Sequence, residues 1–164
     1  MFRIALTSTA LMLGALFAQG ASAAGCESVL AAQVKGLDTP SRSTTKIETE
    51  SGSATSVSIA IGSKIWSQDK SGIWKSQPQP LDRDKIAAYW ADKRCTADGT
   101  DTVDGALTDI VLHKSGGAEQ MDTSFWISRA SGLIVKTLVK TSGAVITITA
   151  DYRDVQAPDA KGRP

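Results

Sequence analysis

Runs of alternating apolar and polar residues, separated by turns that contain glycine, restrict this chain to a mainly β fold. Thr55 to Ile61 alternates with a period of two, which predicts a strand buried on one side. Four more strand segments follow Cys95 with short turns between them, and successive strands joined in this way form an antiparallel meander. These segments are Thr108 to Lys114, Asp122 to Ser128, Leu133 to Lys140 and Ala144 to Tyr152.

The region before the meander adds three weaker elements to the sheet. The threonine-rich, charged stretch Ser43 to Glu50 predicts an exposed or edge strand. Two short runs, Lys64 to Ser67 and Ile73 to Lys75, flank a loop ending in glycine and predict a hairpin. Gln77 to Pro80 holds two prolines that lack a backbone donor, which favours an extended connector outside the sheet.

Two short helices complete the predicted α+β architecture. Cys26 to Leu37 carries apolar residues at helical spacing. The second helix follows Asp82, a capping residue, and Leu81 and Ile86 have the spacing of a hydrophobic staple. Its Ile86, Tyr89 and Trp90 line one side, so we expect this helix to lie on the sheet.

The amino terminus has the features of a secretory signal peptide. Arg3 precedes an apolar run that is too short to anchor a bilayer, and Ala21-Ser22-Ala23 provides the small residues of a cleavage site. We therefore predict a signal peptide over 1–23, one domain over 24–155, a frayed tail over 156–164, and an exported, periplasmic location.

The charges of the mature chain argue against nucleic acid as a partner. The full sequence has 18 Lys and Arg against 17 Asp and Glu, and the signal region contributes only Arg3. The mature chain is therefore formally neutral, without the basic surface that phosphate or anionic lipid requires. We expect a monomer without a transmembrane segment.

Cys26 and Cys95 predict a disulfide, because two cysteines in an exported chain are more often paired than free. A competing interpretation is a lipobox at Ala23-Ala24-Gly25-Cys26, in which Cys26 would be lipidated and membrane-anchored. That interpretation would leave Cys95 without its partner.

The residue inventory argues against an enzyme, a metal site or a cofactor. His113 is the single histidine, and with two oxidised cysteines it cannot complete an ordinary zinc site. Asp109 shares a strand face with His113, but no nucleophile motif accompanies them. Asp98, Asp101 and Asp104 recur every third residue, whereas calcium-loop ligands alternate, so a polar turn is the better interpretation.

The order of the elements resembles the lipoprotein-sorting-factor-like proteins of Gram-negative bacteria, the periplasmic half-barrels of the LolA, LolB and LppX type. The resemblance covers most of the mature chain and rests on a series of short segments. They are Thr39-Pro40-Ser41, Lys64-Ile65-Trp66, Gly72-Ile73-Trp74, Thr102-Val103-Asp104-Gly105, Phe125-Trp126-Ile127-Ser128, Ala130-Ser131-Gly132-Leu133 and Tyr152-Arg153-Asp154-Val155-Gln156-Ala157-Pro158.

This resemblance implies a highly curved antiparallel sheet, an incomplete barrel, whose concave side is covered by helices and takes acyl chains or a lipidated partner. We therefore predict a non-catalytic periplasmic carrier of an apolar ligand, with aromatic side chains lining the cavity. The alternative is a periplasmic protein-interaction module without a cavity, whose aromatics are core. The predicted ligand-binding residues are Trp66, Trp74, Tyr89, Trp90, Phe125, Trp126 and Tyr152.

Overall fold

The computed structural model describes residues 26–69, 71–116 and 120–159, and these contain two helices and nine strands. The predicted signal peptide 1–23 and the last part of the predicted tail lie outside the described residues. The elements are α1 Glu27–Leu37, β1 Ser41–Thr49, β2 Gly52–Ile61, β3 Lys64–Gln68, β4 Trp74–Pro78, α2 Arg83–Trp90, β5 Cys95–Val103, β6 Ala106–Ser115, β7 Met121–Ser128, β8 Ile134–Lys140 and β9 Ala144–Asp151.

All nine strands form one curved antiparallel sheet that does not close, in the order β4-β3-β2-β1-β9-β8-β7-β6-β5. Strands that follow each other in sequence pair with each other, except β4 and β5, which form the two edges of the sheet. The pairing of β1 with β9 joins the two halves of the chain. The predicted fold class, a mainly β α+β fold with an incomplete barrel and two short helices, is confirmed.

The structure corrects three details of the predicted strands. β1 is exposed as predicted, but it is not an edge strand, because β2 and β9 pair with it on both sides. Pro78 does not lie outside the sheet but ends β4, an edge strand, where a missing donor is tolerated. The predicted polar turn around Asp98 and Asp101 is part of β5, the other edge strand.

β5 escaped prediction because it has almost no apolar residues. Its side chains are exposed along most of its length, so hydrogen bonding to β6 places it in the sheet without a hydrophobic pattern. A register shift between Ala97 and Thr100 interrupts the pairing, and Gly99 lies there at φ 99°. Such a bulge requires the backbone freedom of glycine.

One face of the sheet, which we call the inner face, carries both helices. Phe125 on β7 contacts α2, and strand pairing extends this face through Thr137 on β8, Ile148 on β9, Thr45 on β1 and Ser56 on β2. The outer face is the opposite one. α1 lies on the β7 and β8 part of the inner face, and α2 packs against α1.

The main core lies between the helices and this part of the sheet. Its buried members are Cys26, Val29, Ala32, Ile86, Trp90, Cys95, Phe125 and Ile127. The predicted disulfide joins Cys26, just before α1, to Cys95 at the start of β5. It therefore fixes the amino-terminal helix to the far edge of the sheet.

Candidate functional site

A hollow of about 230 Å³ lies where the two helices meet the centre of the inner face. Both helices and β9 contribute mostly apolar residues to its lining, whereas polar groups come from β1, the connector before α2, Gln33 on α1, and Lys136 and Thr137 on β8. The apolar lining comprises Leu37, Leu81, Ile86, Ile134, Ile148, Ala150 and the ring of Tyr152. The polar lining includes Ser41, Ser43 and Gln79.

A capping residue and an ion pair position α2 at the hollow. The carboxylate of Asp82 accepts a hydrogen bond from the backbone N–H of Lys85 at 2.9 Å, which starts α2 directly after Leu81. Leu81 is 53% exposed at the mouth of the hollow, and Ile86 is buried behind it. An ion pair between Arg83 and Asp38 connects the start of α2 to the end of α1.

Beneath the helices the space is filled by side chains. The rings of Trp90 and Phe125 meet edge to face with centroids 5.7 Å apart, and His113 approaches Trp90 at 5.3 Å. The indole N–H of Trp90 donates to the side-chain oxygen of Gln33 on α1 at 2.6 Å. Trp90 and Phe125 therefore belong to the packed core next to the hollow and hold α2 in place.

Tyr152 is the one residue of the predicted aromatic set that lines the hollow. Its hydroxyl donates to the backbone carbonyl of Ile134 at 2.7 Å, and burial raises the pKa of Tyr152 to about 12. Tyr152 and Ala150 also border a second concavity of about 270 Å³, which Leu133 and Val135 help to line. Tyr152 thus lies on the boundary between two partly apolar spaces.

The other predicted aromatic residues lie away from the hollow. Strand alternation places Trp66, Trp74 and Trp126 on the outer face, opposite Phe125. Trp66 pairs there with Ile59, whose side chain is 1% exposed. Tyr89 is 49% exposed on α2, and its ring is perpendicular to that of Trp90 with the centroids 4.9 Å apart.

Trp126 takes part in a polar arrangement on the outer face. Its indole N–H donates to the carboxylate of Asp101 at 3.0 Å, and the ammonium group of Lys136 lies 4.3 Å from its ring centroid. The pKa of Asp101 is lowered, first by a hydrogen bond from the backbone N–H of Thr102 and then by the one from Trp126. These contacts fix β5 to β7 and β8 on the side opposite the hollow.

A concavity of about 330 Å³ on the outer face has a polar lining. Arg42, Asp151 and Arg153 surround it together with Ile59 and Val155. Hydrogen bonds from the Arg153 side chain and its backbone N–H lower the pKa of Asp151 to about 2. An apolar ligand would have to desolvate these charges there, so the smaller inner hollow is the better candidate site.

His113 and Asp109 share the inner face but do not form a catalytic pair. His113 is 4% exposed, and its Nδ1 hydrogen-bonds to the backbone carbonyl of Arg94 at 3.0 Å. Asp109 instead accepts hydrogen bonds from the guanidinium group of Arg129, the shorter at 2.6 Å. His113 is therefore a core side chain in this arrangement.

The sequence analysis placed the lining residues of the hollow in helices and strands, but it did not predict that they would lie next to each other. The staple positions Leu81 and Ile86 identified the start of α2, and the last predicted strand segment, Ala144 to Tyr152, contained Ile148 and Tyr152. No sequence pattern indicated that Leu37 on α1 and Ile134 on β8 would meet them. The nearest available signal was the expectation that α2 lies on the sheet.

The fold is similar to that of several proteins of known structure, among them LppX and MucB. LppX, a lipoprotein from Mycobacterium tuberculosis, superposes with a TM-score of 0.52 and 12% identity, over 79% of this chain and 96% of LppX. MucB, solved in complex with MucA(peri), superposes with a TM-score of 0.52 and 12% identity, over 83% of this chain and 58% of MucB.

No protein-family model and no curated protein matches the sequence. No helix within the described residues has the length and apolar character needed to cross a membrane. At 12% identity the structural likeness carries information about the fold alone. The open nine-stranded sheet with its two helices therefore has a fold similar to that of LppX and MucB, and the curved, incomplete barrel that the sequence resemblance implied is confirmed.

Proposed function

We propose that this protein is a non-catalytic binding or carrier protein that holds an apolar ligand, a single acyl chain, in the inner hollow. The observation that supports the proposal is the division of the lining. Leu81 and Ile86 on the helix side and Ile148 on β9 offer apolar surface, while Ser41 and Ser43 offer hydroxyls on β1, the strand beside β9. An amphiphile could place its chain on the apolar surface and its polar group beside the hydroxyls.

The volume of the hollow sets the size of the ligand. About 230 Å³ is smaller than the roughly 300–1,000 Å³ of sites that enclose drug-sized molecules, so one short chain or part of a longer one fits. Removal of apolar surface from water would supply the binding free energy, at about 25 cal/mol per Å². A longer chain would have to pass Tyr152 into the adjoining concavity.

The proposal includes an exported, periplasmic, monomeric protein. The predicted signal peptide and the disulfide between Cys26 and Cys95 support this location. The half-barrel resemblance supports an acyl chain or a lipidated protein as the ligand class.

The test is calorimetric titration of the purified protein with dodecanoate, with two exposed leucines compared. Leu81 lies at the mouth of the hollow and is 53% exposed, whereas Leu107 on β6 is 48% exposed and lies outside it. Leu81→Gln removes about 1 kcal/mol of apolar contact and should weaken binding about fivefold. Leu107→Gln should bind like the unmodified protein.

A second pair of variants tests the interior of the hollow. Ala150 lines it, and the adjacent Thr149 is exposed on the outer face of the same strand. Ala150→Phe should abolish dodecanoate binding by filling the space, and Thr149→Phe should not. No heat of binding to the unmodified protein, or equal binding by both variants, would reject the proposal.

A protein-interaction module is the second candidate function. The inner face on β1 and β2 carries small hydroxyl side chains at Thr45, Ser56 and Ser58. MucB, which has a similar fold, was solved with a protein partner. Binding of a partner peptide to this region would shift the NMR signals of the backbone amides in β1 and β2, and the amide signal of Leu81 would not move. Signal changes confined to β1 and β2 would favour this function over the carrier.

A further inference from the structure

Three side chains with metal-binding chemistry meet in the core outside the hollow. The ligand atoms of Cys26, Cys95 and His113 all lie within 4.8 Å of one another. The three residues are 4%, 2% and 4% exposed. They come from the residue before α1, from β5 and from β6, where His113 is the register partner of Cys95.

The hydrogen bond of His113 fixes the tautomer of its ring and leaves Nε2 as the nitrogen that can coordinate a metal. A backbone carbonyl can only accept, so the contact between Nδ1 and the carbonyl of Arg94 requires the proton on Nδ1. The neutral ring then keeps its lone pair on Nε2. Metal-binding histidines almost always donate their other ring N–H to a carbonyl or carboxylate in this way.

We infer that reduction of the disulfide converts Cys26, Cys95 and His113 into a binding site for a zinc-type divalent metal. A dithiol reductant supplies two electrons and two protons and becomes a disulfide. A phosphine supplies the two electrons and becomes a phosphine oxide with the oxygen of a water molecule, whose two protons complete the two thiols. Zinc binding then releases these two protons, because thiolate is the ligand form.

The charges of the resulting site balance. Two thiolates offset the charge of Zn²⁺ and the imidazole is neutral, so the buried assembly is formally uncharged. Two sulfurs and one nitrogen are ligands that zinc prefers, and water can take the fourth tetrahedral position. The exclusion of zinc from the sequence assumed oxidised cysteines, so this inference concerns the reduced protein only.

The metal would take over the mechanical role of the disulfide. Cys26 and Cys95 are 69 residues apart in sequence, and in either redox state a bond through their sulfurs holds α1 against the β5 edge. The reduced protein would therefore keep its amino-terminal helix in place when zinc is present and loosen it when zinc is chelated.

The test is a Co²⁺ titration of the full mature protein, oxidised and after reduction by a phosphine. Reduced protein should bind one Co²⁺ with the absorption of thiolate-to-cobalt charge transfer, and Zn²⁺ should displace it. Oxidised protein should show no such absorption. No charge-transfer absorption in the reduced protein, or the same absorption in the oxidised protein, would overturn the inference.

His113→Asn is the matched variant. Its side-chain amide can still donate to the carbonyl of Arg94, but it lacks the second ring nitrogen. Co²⁺ affinity should fall by at least about tenfold in this variant, while circular dichroism of the oxidised form stays unchanged. If reduction unfolds the protein, Zn²⁺ should restore the spectrum of the unmodified chain and not that of His113→Asn. Equal affinity, or equal recovery, in the two proteins would overturn the inference.

Discussion

Loss of the bond between Cys26 and Cys95 is expected to lower the free energy of unfolding by about 4 kcal/mol. The bond closes a loop with a sequence separation of 69, and the chain-entropy relation gives about 4 kcal/mol at 25 °C for a loop of this length. At about 2 cal/mol/K of unfolding entropy per residue, a domain of roughly 135 residues would lose about 15 °C in Tm.

Urea denaturation of three samples measures this loss: the oxidised protein, the same protein reduced by a phosphine, and Cys26→Ala/Cys95→Ala. A chelator in all samples removes metal. The reduced protein isolates the cross-link, because its thiols keep the buried volume that alanine gives up. Its unfolded chain also exposes more surface, so the denaturant slope should rise.

The double variant should lose at least as much stability as the reduced protein, since two smaller side chains leave space among residues that are 4% and 2% exposed. A loss below about 1 kcal/mol on reduction would refute the reasoning. It would mean that the unfolded chain is already constrained where the loop closes, or that the bond strains the folded state.

Three further changes test the packing and ionisation described above. Trp90→Ala, which removes a side chain 6% exposed, should cost about 3–5 kcal/mol in urea unfolding, while Tyr89→Ala, at 49% exposed, should cost less than half as much. Asp82→Ala removes the cap of α2 and should cost about 1 kcal/mol, measured in the same way. Burial raises the pKa of Tyr152 to about 12, so its contribution to folding stability is fully present below the ordinary tyrosine pKa near 10 and is lost as the pH rises from 10 to 12. Absorbance at 295 nm should show one tyrosine that ionises at higher pH than the other, and Tyr152→Phe should remove that late signal.

The local sequence pattern was sufficient to predict most of the helices and strands. The period-two alternation at Ile146, Ile148 and Ala150 indicated β9, and the cap and staple before Ile86 indicated α2. These signals work at short range, because neighbouring residues fix which side of a strand or helix is apolar. β5 had no such signal, since its partner strand holds it and its side chains face water.

The predicted aromatic site shows the limit of this reasoning. The sequence analysis predicted that Trp66, Trp74 and Trp126 line a cavity. The alternation along each strand correctly separates the residues of its two faces. Which face turns towards the helices depends on the register across the whole sheet. That register places these tryptophans opposite the hollow.

The sequence by itself determined a mainly β chain with two short helices, a disulfide pair and no motif for catalysis, because composition and short-range periodicity encode these properties. Only the tertiary structure decided that Leu37, Leu81, Ile148 and Tyr152 line a common hollow and that His113 meets the two cysteines. Both sites are built from residues on elements far apart in the chain. Their proximity follows from the β1 and β9 pairing and from the docking of the helices, which no local pattern specifies.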